Sequence, residues 1–300
     1  MIVYSDLHRK PIFKQMFEES GVLHQNHYRS VWMMLLFRKY GRKIPEYVLY
    51  PRPILKEDTE TIIVFDTHTT SRYLRWLHQK APDARIILWF WNPVGEGKML
   101  KWLPAYVEPW TYSLKDSETF HLRRNTQFFF DCLAEEAEEV RKRAEEEKGS
   151  RPLKAAFVGR DKERSKALGA IAAQLCEAGV EVKMEIVPPA RKEPKVLFEK
   201  LMSYRQIIDR AIKADIVLDY SIDPEAGLSL RPMEALFFGK KLITNTREIL
   251  QADFYHPSNI YVLGEDERTL QEFLDCPVEA VPDEIRDRYL LSAWLKRFSE

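Results

Sequence analysis

The chain has 300 residues, enough for one large domain or for two domains of about 150 residues each. Its 46 basic residues equal its 46 acidic residues, and this balance argues against a dedicated nucleic-acid-binding protein. The cysteines, Cys132, Cys176 and Cys276, lie far apart without metal-binding spacing, which predicts a reducing cytoplasm. We expect no signal peptide, and the longest apolar run, Val31–Phe37, is shorter than the roughly 20 residues of a transmembrane helix.

The N-terminal part alternates strands with helices. An opening strand is predicted at residues 2–5, and a helix at Tyr28–Tyr40. Thr61–Phe65 predicts a buried strand, Ser71–Lys80 a helix, and Arg85–Trp91 the next strand. This order is a βαβ unit, so we expect the first part of the chain to be a Rossmann-like domain.

Two interpretations of the helix at Tyr28–Tyr40 are open. In the first, its apolar centre is a core helix with solvated ends. In the second, the basic residues around it indicate an interfacial helix that rests on an anionic membrane. These basic residues are Arg29, Arg38, Lys39, Arg42 and Lys43.

Residues 131–148 are strongly charged. Glutamates precede basic residues by four positions, as in Glu138 and Lys142, which favours an exposed helix. We interpret this segment as the boundary between two domains. The predicted regions are an N-terminal domain (1–133), a charged helix and linker (134–152), a C-terminal domain (153–282) and a terminal helix (283–300).

The second domain again alternates strands and helices, which specifies a doubly wound, mostly parallel sheet. The predicted strands are 153–158, 181–187, 216–220, 241–244 and 259–263, and the predicted helices are 164–178 and 195–213. Gly159 and Arg160 follow the first of these strands. The glycine lets the backbone approach a ligand, and Arg160, Lys162 and Arg164 can neutralise a diphosphate; the alternative is an ordinary basic turn.

Residues 214–245 form the clearest βαβ unit of the chain. Its first strand ends at Asp219 and Tyr220, and its helix has Pro232 in the first turn and Gly239 at the expected C-cap. The loop between them is expected at the carboxyl edge of the sheet, where open α/β folds bind ligands. The sequence therefore predicts a binding crevice beside this loop.

Polar side chains near the start of this helix suit a nucleotide. Glu234 is expected to point at the crevice, where a carboxylate can accept hydrogen bonds from two ribose hydroxyls; otherwise it is a helix N-terminal carboxylate stabilised by the macrodipole. Arg231 beside the helix N-terminus suits a phosphate. Ser229 is either a further ligand contact or the cap of the helix.

These motifs resemble a known family. The run from Glu234 to Asn245 is similar to the signature Glu-Ala-hydrophobic-x-x-Gly-Lys-hydrophobic-Ile-Thr of GT-B glycosyltransferases, many of which also carry Gly-Arg or Gly-Lys at the place of Gly159. The runs Gly227–Ala235 and Asp253–Ile260 resemble bacterial lipopolysaccharide and capsule biosynthesis proteins, as does Trp91–Pro93 with the polar residues after it. The chain departs from the family at Ala226, where retaining enzymes often carry the first Glu of Glu-x7-Glu.

The resemblance implies a GT-B fold, in which two Rossmann-like domains turn their parallel sheets toward a central cleft. It implies a cytoplasmic glycosyltransferase of lipopolysaccharide, capsule or other cell-surface polysaccharide biosynthesis, with no metal or other cofactor. The N-terminal domain would hold a glycan or lipid-linked acceptor, at the inner membrane surface if the first helix is interfacial. The C-terminal domain would bind the nucleotide-sugar donor through Gly159, Arg160, Lys162, Arg164, Tyr220, Gly227, Ser229, Arg231 and Glu234.

An inverting enzyme of this kind needs a general base on the acceptor side. Asp66 and His68 follow a predicted strand and are the candidates, although polar groups satisfied at a strand end would give the same pattern. An alternative function is a non-catalytic nucleotide-sugar-binding or scaffold subunit of a polysaccharide assembly complex, in keeping with Ala226. A third is a peripheral membrane interaction protein that uses residues 29–43.

Overall fold

The computed structural model describes residues 2–4, 11–40, 43–55, 59–147, 149, 151–187 and 203–300. The chain divides into two compact units, Met1–Asn125 and Thr126–Glu300. Each unit is built on one parallel sheet, so the predicted α/β class with two Rossmann-like halves is confirmed. The observed division falls earlier in the chain than the sequence-predicted end of the first domain at residue 133.

The first unit contains a six-stranded sheet. The strands are β1 Ile2–Tyr4, β2 Leu23–Gln25, β3 Thr61–Phe65, β4 Arg85–Phe90, β5 Val107–Thr111 and β6 Arg123–Arg124. The helices are α1 Pro11–Glu19, α2 Val31–Tyr40, α3 Glu46–Leu49, α4 Ser71–Lys80 and α5 Leu114–Phe120, with a 3-10 turn at Leu100–Trp102. The sheet order is β2-β1-β3-β4-β5-β6, with every pair parallel.

The core of the first unit lies around β3 and β4. All five residues of β3 are buried, as expected for a strand covered on both faces. Helix α4 begins where the Thr70 side chain accepts a hydrogen bond from the Tyr73 N–H, and it packs Leu74 and Leu77 into the core. The sheet order reverses at β1, so the carboxyl ends of β1 and β3 form a topological switch point, beside which Asp66 lies.

Helix α2 differs from a core helix. Met34 is its buried residue, while Val31, Met33 and Phe37 pack partly against the core. The opposite side is open to solvent, and Trp32 is 74% exposed. Because its apolar residues encircle the helix, α2 has both a packed face and an exposed apolar face, and the choice between a core and an interfacial helix stays a prediction.

The second unit contains a five-stranded sheet. The strands are β7 Lys154–Arg160, β8 Glu181–Val187, β9 Ile216–Asp219, β10 Lys241–Thr244 and β11 Ile260–Val262. The helices are α6 Ala134–Glu146, α7 Ser165–Glu177, α8 Tyr204–Lys213, α9 Leu230–Phe238, α10 Leu270–Asp275, α11 Asp283–Arg286 and α12 Leu291–Lys296. Short 3-10 turns lie at Asp131–Leu133, Arg247–Gln251, Asp287–Tyr289 and Arg297–Ser299. The sheet order is β11-β10-β9-β7-β8, again parallel throughout.

The strand order of this sheet shows where its topological switch point lies. From β7 the chain moves outward to β8 and then returns to β9 on the other side of β7. The loops after β7 and β9 consequently leave the sheet in opposite directions, and the position between the two strands is a topological switch point. Helix α9 runs from this edge and is buried from Pro232 to Phe238, and this buried stretch includes one carboxylate, Glu234.

Two predicted helices have different bounds in the structure. The part of the predicted helix 195–213 before residue 203 lies outside the described residues. The terminal segment is not one helix, because Leu290 is extended and bridges to Phe129 between α11 and α12. The Trp294 ring of α12 packs on Phe128, which lies in the sequence-predicted N-terminal range but in the second observed unit.

Candidate functional site

A cluster of cationic side chains lies at the carboxyl ends of β7 and β9. The guanidinium carbons of Arg164 and Arg231 lie 4.8 and 5.1 Å from the centroid of the Phe157 ring. Each arginine also has an Nη2 atom within 3 Å of where a Cβ on Gly159 would be, at 2.8 and 2.9 Å respectively. Glycine at this position therefore makes room for two guanidinium groups side by side.

Hydrogen bonds hold both arginines in place. Arg164 donates from Nε to the Arg160 carbonyl at 3.0 Å and from Nη1 to the Tyr220 carbonyl. Arg231 donates from Nη1 to Asp219 Oδ1 at 3.2 Å and from Nη2 to the Val158 carbonyl. Among the described residues, nothing accepts a hydrogen bond from Arg164 Nη2 or Arg231 Nε. These N–H groups remain for a ligand at the switch point.

Positive charge exceeds negative charge around this pair. Asp219 is 3% exposed and forms an ion pair with Arg231. Burial and the adjacent Arg231 lower the pKa of Arg164 to about 10, so its positive charge is only partly compensated. Desolvation, followed by the charges of Arg164, Arg160 and Arg231, also lowers the pKa of Lys162. An anionic group placed here would relieve this repulsion.

The turn that carries Lys162 is strained. Lys162 and Glu163 both have left-handed backbone conformations, with φ of 44° and 67°. The Arg164 N–H donates to the Asp161 carbonyl at 3.0 Å, so the four residues form a tight turn with two positive φ angles at its centre. Non-glycine residues in this region cost free energy and concentrate at ligand-binding loops. The turn therefore has the character of a binding loop.

Ser229 and Glu234 make contacts within the protein. The Ser229 hydroxyl accepts from the Arg231 N–H at 3.2 Å and donates to Asp219 Oδ1 at 3.1 Å, so it caps α9 as one interpretation expected. Glu234 is 2% exposed, and its carboxylate accepts a hydrogen bond from the Tyr204 hydroxyl. Burial raises the pKa of Glu234 above its usual value. A contact between Glu234 and ribose stays a prediction.

The remaining predicted donor residues lie after β7 and β9, at the same edge of the sheet. Gly227 is buried with φ of 92°, a conformation that favours glycine. Tyr220 contributes its carbonyl to Arg164, and Arg160 is exposed at the end of β7. The Asn245 side chain accepts from the Ser221 N–H at 2.8 Å and donates to the Ser221 carbonyl at 2.7 Å, which fixes the loop after β9. The structure thus gathers the predicted residues of the second unit at one sheet edge.

Three residues of the cluster were not predicted as site residues. Asp219 was identified only as the end of a strand, although a carboxylate at that point is a usable signal. Phe157 lies within an apolar run, and nothing distinguishes it there from an ordinary core residue. Tyr204 begins α8 far from Glu234 in the chain, and only the folded structure brings the two together.

The two predicted general-base candidates lie in the first unit. Asp66 follows β3, and its Oδ1 accepts from the Trp91 N–H at 3.1 Å while the Asn92 amide lies 3.3 Å from its Oδ2. Burial outweighs these hydrogen bonds and raises the pKa of Asp66 to about 6. His68 is exposed two residues further on, with a left-handed backbone at φ of 59°. One turn therefore presents a carboxyl group that titrates near neutrality and an imidazole.

Within the described ranges, no three or more His, Cys, Asp or Glu side chains converge as metal ligands would. Nor does any helix in those ranges have the length and apolar character to cross a membrane.

No protein-family model matches the chain, and no curated protein matches it. The indications of function therefore come from the geometry of the site and from the sequence motifs.

Proposed function

We propose that the chain is a GT-B glycosyltransferase whose second unit binds a nucleotide-sugar donor. The observation that carries this proposal is the Arg164 and Arg231 pair beside Gly159, at the switch point of a parallel sheet. Open α/β sheets bind their ligands at such points, and paired guanidinium groups match the oxygens of a diphosphate. The acceptor is a glycan or a lipid-linked sugar of a cell-surface polysaccharide.

The proposed chemistry requires stabilisation of the leaving nucleoside diphosphate. Arg164 Nη2 and Arg231 Nε would donate to its phosphate oxygens, and Lys162 would add positive charge at the rim. The fixed orientation of both arginines means that little reorganisation is needed when charge develops on the leaving group. These side chains supply electrophilic stabilisation without calling for a metal ion.

The first unit would supply the acceptor side of the reaction. Asp66 is our candidate for the general base, because a carboxyl group with a pKa of about 6 is ionised at neutral pH and basic enough to accept a proton. His68 is the second candidate, since it is exposed in the same turn. The acceptor hydroxyl would lose its proton to one of them as it attacks the anomeric carbon.

The donor site can be tested by thermal-shift binding. We would screen UDP-, GDP-, CMP- and dTDP-sugars against the wild type and the variants Arg164→Gln, Arg231→Gln and Arg143→Gln. Arg143 is exposed on α6 and serves as the control. We expect one nucleotide family to raise the melting temperature, by mass action, in the wild type and the control only. No shift with any donor, or an equal shift in all variants, would refute the donor site.

A non-catalytic donor-binding subunit is the second candidate. The observation that favours it is the burial of Glu234, whose carboxylate contacts Tyr204. Incubation of the protein with its radiolabelled donor, with and without a membrane extract as acceptor, separates the two candidates. Release of nucleoside diphosphate indicates an enzyme, whereas saturable binding without release indicates a scaffold.

A membrane-held acceptor is favoured by the open face of α2. Trp32 is 74% and Tyr47 72% exposed, beside the exposed Leu35, Leu36 and Tyr40. Basic residues flank this face at Arg29, Arg38, Lys39 and Lys43, while Arg42 lies outside the described residues. Exposed aromatic and apolar side chains with surrounding cations suit an anionic bilayer surface. We therefore propose peripheral association of the first unit with such a surface.

Co-sedimentation with vesicles tests the membrane proposal. We expect wild-type protein to bind vesicles that contain phosphatidylglycerol but not neutral vesicles, and binding to fall with added salt. Replacing Trp32 and Leu36 by Ser should abolish it. Ile222→Ser is the control, because Ile222 is 62% exposed on the other unit. Absence of wild-type binding, or equal binding by the double variant, would refute the proposal.

A further inference from the structure

A cavity lies in the second unit, at the opposite edge of its sheet from the cationic cluster. It has a volume of about 300 Å³ and is enclosed by α6, the C-terminal half of α9, the first residues of β10 and β11, and the segment before α11. Its walls are mostly apolar and include Leu236, Leu242, Phe254, Ile260 and Val281. A cavity of this kind is suited to the apolar part of a small ligand.

Arg141 of α6 brings a positive charge to this apolar cavity. Its Nη1 donates to the Phe237 carbonyl, and its Cγ lies 2.9 Å from where a Cβ on Gly239 would be. Gly239 therefore leaves the space through which the side chain passes. Burial first, and the nearby Arg286 second, lower the pKa of Arg141. No carboxylate among the described residues forms an ion pair with Arg141.

Arg286 of α11 lines the same cavity. It donates to the Val281 carbonyl at 3.2 Å and to the Asp283 carboxylate. Burial lowers its pKa as well. Lys142, Lys240, Glu145 and Glu279 also border the cavity, and Lys142 forms an ion pair with Glu138 at 2.6 Å. Asp283 pairs with Arg286, and the charges of Glu138 and Asp287 act on both arginines, so Arg141 is the arginine that reaches the apolar walls without an ion pair among the described residues.

We propose that this cavity is a second binding site, for a molecule with an apolar body and one carboxylate, such as a medium-chain acyl acid. The guanidinium of Arg141 would pair with the carboxylate, because its planar fork matches the two oxygens. The acyl chain would occupy the space between α9 and the starts of β10 and β11. The site shares α9 with the proposed donor site, but the two lie at opposite ends of that helix.

The test is calorimetric titration of the full chain with octanoate and, as a neutral match of the same length, octanol. We expect saturable binding of one octanoate, with octanol at least about tenfold weaker, because a charge-assisted hydrogen bond to a partly buried cation is lost. Arg141→Gln should weaken octanoate by a similar factor, and Arg143→Gln on the same helix should not. Trp32→Ser removes part of the exposed apolar face of the first unit. If octanoate binds in the cavity and not on that face, this variant should bind octanoate as the wild type does.

A second variant covers the case in which Arg141→Gln fails to fold. Ala280→Trp places a large side chain at the exposed border of the cavity and should block octanoate while the melting temperature stays near that of the wild type. Absence of octanoate binding to the wild type would overturn the proposal. The proposal would also be overturned if octanol bound as tightly as octanoate, or if Arg141→Gln and Ala280→Trp both bound octanoate as tightly as the wild type does.

Discussion

Arg164 and Arg231 lie side by side over the Phe157 ring although both carry positive charge. The ring face attracts cations, and Asp219 pairs with Arg231, so part of the repulsion is offset. Burial first, and the charge of Arg231 second, lower the pKa of Arg164 to about 10. An anion that binds next to both guanidinium groups would be attracted by each of them and would reduce the repulsion between them.

Gly159→Ala should disturb this pair directly. The new Cβ would lie 2.8 Å from Arg164 Nη2, 2.9 Å from Arg231 Nη2 and 3.1 Å from Phe157 Cζ, so the guanidinium groups have to move. We expect donor binding to be lost and the free energy of unfolding to fall by about 1–3 kcal/mol, as in other overpacked sites. Urea denaturation and thermal-shift binding measure the two effects.

Gly169→Ala is the matched control for this variant. Gly169 is exposed inside α7, and nothing lies within 4 Å of its added Cβ. Alanine should stabilise the helix there by about 0.5–1 kcal/mol without changing donor binding. If Gly159→Ala and Gly169→Ala have the same stability and the same donor binding, the arginines do not need the space that Gly159 leaves.

Glu163→Gly should stabilise the protein. Glu163 has φ of 67°, a conformation that a side chain makes costly and that glycine adopts freely. After the greater entropy of glycine in the unfolded chain is counted, we expect a gain of about 0.5–1 kcal/mol. Glu163→Ala retains the Cβ and should show no such gain in urea denaturation. An alanine variant as stable as the glycine variant would contradict the strain argument.

Periodicity and turn residues predict most of the fold. Strand Thr61–Phe65 and helix Ser71–Lys80 have the predicted bounds. A continuous apolar run indicates the strand, and apolar residues that recur about every four positions indicate the helix. Gly239 ends α9 at φ of 62°, as its position predicted. The terminal segment 283–298 was misassigned because helical spacing does not show that Leu290 pairs with Phe129.

The site was predictable where its chemistry is local in the chain. Arg164 and Arg231 follow parallel strands, so the rule that ligands bind at carboxyl ends brings them to one edge. The burial of Glu234 was not predictable, since it depends on Tyr204 from another helix. Likewise, the apolar run of α2 has no period that distinguishes its packed face from its exposed one.

Tyr204→Phe should destabilise the protein more at pH 8 than at pH 4. The variant removes the hydroxyl that donates to the buried Glu234 carboxylate, and an unsatisfied buried acceptor costs about 1–3 kcal/mol. The folded-state pKa of Glu234 is raised above 4.5, so the native state holds the proton over a wider pH range than the unfolded state. The stabilisation that the raised pKa of Glu234 contributes is therefore present at pH 4 and is lost as the pH rises through the folded-state pKa of Glu234.

Glu234→Gln provides the control for Tyr204→Phe. In this background the carboxylate is gone, so the effect of Tyr204→Phe should become independent of pH. Urea denaturation of both single variants and the double variant at pH 4 and pH 8 makes the comparison. Equal destabilisation by Tyr204→Phe at both pH values in the wild-type background would contradict the proposed contact.

Asp66 should make the stability of the chain fall between about pH 4 and pH 6. Its folded-state pKa is raised from 3.8 to about 6, so in this window the native state binds a proton that the unfolded state has released. The contribution is fully present below pH 3.8 and lost above pH 6, with an amplitude of about 3 kcal/mol.

Asp66→Asn should remove this slope from urea denaturation measured at pH 4, 5, 6 and 7, whereas Asp83→Asn, at an exposed site, should keep it. Asn92→Ala should extend the slope to higher pH, because it removes a hydrogen bond that favours the charged carboxylate and so raises the folded-state pKa alone. An unchanged slope in Asp66→Asn would show that Asp66 is not the titrating group and would remove the main reason for assigning it as the general base.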